Sequence, residues 1–308
     1  MLKVFKHPFF SFLLAMFCTL CFGISYPLTK LTQGAFSVQP SDVWSQLLLA
    51  GVRLTFSGIL ILLIGCCTKS HSKLKKQDVF KVSLVALFLV VLHYGFNYLG
   101  QGLSDGSKAP LLKETCSLFL IVFMHIFSKD DKINVQKAVG CLLGLVGIVV
   151  VNIQGVASFS MNLGELFLLS AAICAAFGYC LMKLFFKNIS SATAMGLAQA
   201  IGGVVMATLG LIGGGEMKPD GELAYLYLFA IILATAIPFL IWTELYKYNK
   251  ASIMGIYGLT TSIFGVIATG IMIPEANVFS WQILVAMVLI TMGMWIANKT
   301  NNEKEKET

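Results

Sequence analysis

Arg53 is the only arginine in the chain, and it stands inside an apolar run at 43–66. Glu114 and His93 stand inside two others, at 105–127 and 79–101. Ionisable groups buried in such sequence are costly in lipid and mark functional positions. At 1.5 Å per residue the three fall at one depth, roughly 12–15 Å below the same boundary of the apolar layer. Opposite charges at one depth in a low-dielectric medium attract, which predicts an Arg53–Glu114 pair with His93 beside it. Such a pair either pins two helices together or supplies a carboxylate that exchanges partners or titrates during transport. His93 reads equally as a hydrogen-bonded core histidine or as a proton carrier.

His93, Asn97 and Gln101 recur every fourth residue, with Tyr94 and Tyr98 alongside, so a helix over this stretch carries one polar-aromatic stripe. Facing lipid, the amides would be unpaired, so the stripe faces protein or water. Cavity lining is preferred to interhelical hydrogen bonding. Lys113 and Glu114 point about 100° apart on a helix. Glu114 then faces the bundle, and Lys113 lines the cavity edge or reaches outward. Tyr94, Tyr98, Tyr179, Trp242 and Tyr257 lie on different runs and form either an aromatic cage for a cationic or aromatic substrate or ordinary packing. Pro238 predicts a kink. Glu244 reads as solvated or paired with Lys247.

Other chemistries find little support. There is no HExxH or comparable metal-ligand spacing and no phosphate-binding Gly-Lys-Ser/Thr loop, so neither a metal site, a cofactor, a catalytic centre nor ATP drive is expected. Cys18 and Cys21 form a CxxC within an apolar run without a redox-fold context. The eight cysteines fall within or at the ends of apolar runs and read as small membrane residues. The net charge of +7 comes from lysines between the runs rather than from a nucleic-acid surface.

These residues must be positioned by membrane helices. Of 308 residues, 57% are apolar and 12% charged, and the mean hydropathy is +0.83. Apolar runs of about 20 residues indicate helices, and the alternation of barrel strands is absent. Ten spans are predicted: 9–32, 43–66, 79–101, 105–127, 135–153, 163–185, 191–213, 222–246, 251–273 and 280–298. The N-terminal run is too long for a signal peptide and reads as a retained first span. With the N-terminus inside, Lys30 and Lys218 alone lie on the outer side, Arg53, Lys108 and Lys113 fall within spans, and every other lysine lies inside. That asymmetry places both termini in the cytoplasm and supports an even number of spans in the cell membrane. Residues 299–308 read as a disordered cytoplasmic tail.

The two halves repeat. Gln136, Gly147 and Asn152 recur at the same spacing as Gln282, Gly293 and Asn298, and Lys108-Ala109 recurs as Lys250-Ala251. Residues 1–153 thus match 163–298, and an odd number of spans per half makes the repeat inverted. Gly140 and Gly144 form a GxxxG that packs either within the bundle or across a homodimer.

Phe22-Gly23, Arg53-Leu54, Tyr98-Leu99-Gly100 with Ser107-Lys108-Ala109, Gly164-Glu165-Leu166, Ala176-Phe177-Gly178 and Pro274-Glu275 carry a likeness that covers essentially the whole chain. In them the chain resembles the EamA-type branch of the drug/metabolite transporter superfamily. The resemblance implies a ten-helix carrier with a central cavity, lined mainly by spans 1, 3, 4, 6, 8 and 9. Lys113-Glu114 departs from the small or uncharged residues usual there. The expected function is secondary transport of a small polar or cationic metabolite, amino acid or amine-like, by alternating access, with export and proton coupling both open. The alternatives are an uncoupled channel or facilitator and, further off, a membrane-embedded enzyme.

Overall fold

A computed structural model describes residues 2–103, 109–151, 162–273 and 281–304. Ser107, Lys108, Asn152, Pro274, Glu275 and the last residues of the tail lie outside them. The described residues are helical throughout, apart from short connections. A short α1 (Leu2–Lys6) leads into α2 (Pro8–Ala35) and α3 (Val43–Cys67). Then come α4 (Lys76–Val85), a π-helical segment (Ala86–Leu92) and α5 (His93–Leu103), which run on as one rod. Helices α6 (Ala109–Glu114), α7 (Cys116–Phe127) and α8 (Val135–Val151) complete the first half. The second half holds α9 (Leu163–Phe185), α10 (Ser191–Ile212), α11 (Glu222–Tyr248), α12 (Ala251–Gly258), α13 (Thr260–Met272) and α14 (Trp281–Lys304).

Among the described residues, seven stretches are long and apolar enough to cross a membrane: Pro8–Ala35, Val43–Cys67, Lys76–Gln101, Leu163–Asn188, Ser191–Ile212, Glu222–Tyr248 and Ala251–Met272. Two shorter apolar helices lie at Val135–Val150 and Leu284–Ala297. The remaining predicted span, 105–127, is divided between α6 and α7. Large apolar side chains such as Phe56, Phe229, Leu284 and Trp295 are more than half exposed, a surface suited to lipid rather than water. Helix α14 continues to Lys304, so the first part of the polar tail is helical rather than disordered. Its Glu and Lys residues are good helix formers.

Local chemistry sets several helix starts. Asp42 caps α3 by accepting hydrogen bonds from the Ser45 backbone at 3.1 Å and its hydroxyl at 2.5 Å. Those bonds hold its carboxyl below the usual carboxylate range, the hydroxyl contributing most. Asn162 and Glu165 form a reciprocal capping box at the start of α9, and Ser190 caps α10. Within α11, Pro238 deprives the Ala234 carbonyl of its helical donor. The Ser25 hydroxyl of α2 approaches that carbonyl at 3.5 Å.

Helices α8 and α14 pack closely where two glycines meet. A Cβ on Gly140 of α8 would lie 2.5 Å from the Gly293 carbonyl oxygen of α14, and one on Gly293 would lie 2.4 Å from that of Gly140. Gly144 faces Leu259. The GxxxG is therefore occupied within the chain, bringing two backbones together as small residues do in membranes.

Candidate functional site

The site is built where two interrupted helices cross. Between α6 and α7, the Thr115 hydroxyl bonds back to the Leu112 carbonyl at 2.5 Å. Between α12 and α13, the Thr260 hydroxyl bonds back to Tyr257 at 2.8 Å. Such local side-chain bonds compete with the helical ladder and favour a bend. The two interruptions meet. The Ser117 hydroxyl donates to the Gly255 carbonyl at 2.8 Å, and the Ser262 hydroxyl donates to Glu114 Oε1. Glu114 is 7% exposed, so a carboxylate and its serine sit at the crossing of the two halves of the chain.

Lys113 turns the other way from Glu114. Its Nζ donates to the Tyr26 hydroxyl at 2.8 Å and lies 4.3 Å from the Tyr26 ring centroid. It is thus held inward on α2, at a partner the sequence does not indicate. Gly265 makes room for that ring, since a Cβ there would lie 2.3 Å from Tyr26 Cδ2. Tyr26, Lys113, Glu114, Ser262 and Gly265 therefore form one packed unit.

Arg53 and Glu114 do not pair. Arg53 is 7% exposed. Its Nη1 donates to Thr29 Oγ1 at 3.3 Å, and its guanidinium carbon lies 5.6 Å from the Tyr94 ring centroid. Its Nε has no hydrogen-bond partner. Arg53 turns toward α2 and α5, whereas Glu114 turns toward α13.

His93 follows the π-helical segment, which re-aims the helix after it. Its Nδ1 lies 3.1 Å from the Ala171 carbonyl of α9, the interhelical alternative rather than cavity lining. Asn97 is half-buried on the next turn and Gln101 is exposed. Tyr94 stacks on Tyr98 with centroids 6.4 Å apart, and Tyr98 lines a narrow cleft with Arg53.

The five predicted cage aromatics divide into separate groups, with Tyr94–Tyr98 as their one mutual ring contact among the described residues. Tyr179 stacks on Tyr246 at 5.4 Å, and Trp242 packs against Tyr246 and Phe22 at 5.8 Å each. Tyr257 meets Phe12 edge-on at 5.6 Å. For Tyr179, Trp242 and Tyr257 this is core packing.

At the lysine-rich end of the bundle the structure reveals groups that sequence reasoning passed over. Asp131 and Lys137, read as loop and boundary residues, are both 2% exposed. Lys137 Nζ meets Asp131 Oδ1 at 2.5 Å. Asp131 also accepts from the Ser252 backbone at 2.9 Å and its hydroxyl at 2.5 Å, capping α12. Lys183 Nζ donates to the carbonyls of Tyr246, Lys247 and Asn249 at 2.6, 3.2 and 2.8 Å, closing the end of α11. Glu244 pairs with Lys247 at 3.4 Å, as their spacing suggests, and accepts from Ser191. The lysine count alone hides such roles, because it treats every lysine between spans alike.

Comparison with known proteins places this architecture. The model of the EamA-like transporter family matches residues 9–153 and again 162–299. A protein of Bacillus subtilis (strain 168) described as the uncharacterized transporter YvbV is 25% identical, over 96% of this chain and 93% of its own length. An Escherichia coli (strain K12) protein described as the uncharacterized inner membrane transporter YedA is 26% identical, over 83% of this chain and 84% of its own. One solved crystal structure shares the fold, with a TM-score of 0.74 and 16% identity over 93% of this chain and 98% of that one. With apolar helices, an interrupted-helix crossing and a family match over both halves, the chain belongs to the EamA-like transporter family and is a multi-pass membrane protein.

Proposed function

We propose that the protein is a secondary transporter that moves a small polar or cationic metabolite across the cell membrane by alternating access. In this reading ten spans form two inverted five-helix repeats, with both termini in the cytoplasm. The observation that carries it is the crossing of α6–α7 with α12–α13, where Glu114 and Ser262 stand at matching interruptions. Thr115 and Leu259, the single residues at the two interruptions, keep right-handed helical angles while their amides bond three residues back, and sites near the midplane between repeats are built at such local breaks in helices. The separate family matches to 9–153 and 162–299 support two related halves.

Glu114 is the exchanging group: the substrate's polar or cationic part replaces the Ser262 hydroxyl, and loss of that contact lets the halves rock. A thermal-shift screen of metabolites identifies a stabilising ligand by mass action, and proteoliposomes containing the full chain then measure its flux. The expected result is saturable counterflow that Glu114→Gln abolishes. Non-saturating flux would point to a channel. Unchanged uptake and pH dependence in the variant would remove Glu114 from the mechanism.

A further inference from the structure

We infer that Arg53 is the docking point for a carboxylate group of the transported molecule, in a cleft between α2, α3, α5 and α11. The inference deepens the transporter reading and rests on it.

A guanidinium offers five N–H donors. Arg53 uses one of them within the described structure, toward Thr29 at 3.3 Å. The Thr29 hydroxyl sends its own proton to the Ser25 carbonyl at 2.6 Å, so it is committed as an acceptor toward Arg53. Nε is buried without a partner, and no carboxylate of the described residues lies within 4.0 Å of the guanidinium. A buried cation without a counter-ion is strongly unfavourable. A position that retained it for packing alone would be better filled by an uncharged side chain.

The surroundings are polar. The cleft is lined by Arg53, Thr29, Gln33, Gln46 and Tyr98. Gln46, itself 2% exposed, is held by the Pro40 carbonyl at 2.5 Å, and Gln33 approaches it at 3.5 Å. The Tyr94 ring lies beside the guanidinium, 5.6 Å from its carbon to the ring centroid. A ligand that brings one negative charge supplies the counter-ion that Arg53 lacks among the described residues. A carboxylate fits because its two oxygens match the planar fork in a bidentate pair.

The single arginine provides the test. Phenylglyoxal modifies arginine, so with the full chain in lipid nanodiscs an adduct mapped by peptide mass to the segment holding Arg53 reports that residue, the chain's one arginine. Three pools serve as competitors: short monocarboxylates, the protein α-amino acids other than arginine, and the primary amines derived from those amino acids by loss of the carboxyl group, all free of guanidinium groups that would consume the reagent. The expected result is that labelling of the native protein slows about tenfold with a carboxylate-bearing pool when the ligand is about tenfold above its Kd. The amines should leave it unchanged. Labelling that no carboxylate slows, or a native protein that stays unlabelled while the denatured chain reacts, would overturn the inference. Saturable amine counterflow without carboxylate protection would discard the Arg53 site and keep the transporter reading. Protection without counterflow of any protecting ligand would keep the binding site and discard transport.

Discussion

Two regions handle buried charge in opposite ways. At the lysine-rich end, Asp131 receives three donors from Lys137 and Ser252, and Lys183 gives three hydrogen bonds to the last carbonyls of α11. Elsewhere, among the described residues, Glu114 at the crossing has one hydrogen-bond partner in Ser262, and Arg53 in the cleft between α2, α3, α5 and α11 has one in Thr29. Saturated charges act as clasps: they hold α12 and α11 to elements distant in sequence. Charges left with spare valence do little to hold helices and are available to something that arrives. The same low dielectric that makes a complete network strong makes an incomplete one costly.

The largest way to break this comparison is at Asp131. Asp131→Asn should cost about 3–5 kcal/mol, since it leaves Lys137 buried without its counter-ion. Thermal unfolding in detergent measures the loss, and adding Lys137→Met should restore much of it. A loss in Asp131→Asn no larger than at the surface would mean that the pair is not a clasp. Lys183→Met comes next, at about 1–3 kcal/mol, because it strands carbonyls at the end of α11. Its effect should appear in the same melting experiment.

The Arg53 cleft predicts the reverse. Arg53→Gln should change stability by less than about 1 kcal/mol or raise it, because it removes a buried charge that no carboxylate among the described residues neutralises. Ligand-induced stabilisation should nonetheless disappear. A melting loss as large as that of Asp131→Asn would place Arg53 among the clasps. The smallest effect is at Asp42, where removing the helix cap with Asp42→Ala should cost about 1 kcal/mol. Its carboxyl titrates below the ordinary range in the folded state. Its contribution is therefore present above the unfolded pKa and is lost as pH falls through the folded one, which acid melting curves of wild type and variant would reveal by converging.

Much of the site was legible because it consists of exceptions. Arg53, Glu114 and His93 stand out as ionisable groups in apolar sequence, and all three are buried or half-buried in the fold. Their partners were not legible. Depth along a helix follows from counting residues, but direction around it follows from rotation and crossing. The π-helical segment before His93 alters that rotation without a residue type that announces it. Tyr26 and Ser262 carry no signal in an apolar run, where tyrosine and serine are common packing residues. Lys137 misleads for a related reason: near a span boundary it looks like an orientation signal, and it becomes a buried partner only because Asp131 folds over α12.

What the sequence by itself determined is the solvent. Lipid offers no hydrogen bonds to backbone, so long apolar runs must be helices, and their order along the chain follows from hydropathy alone. It also determined which ionisable residues are out of place. The tertiary structure decided who meets whom. Glu114 and Ser262 are 148 positions apart, and Asp131 and Ser252 are 121 apart. Such contacts depend on where helices bend and how closely Gly140 and Gly293 let them approach. They are set by packing in three dimensions, which a one-dimensional pattern of polarity does not encode.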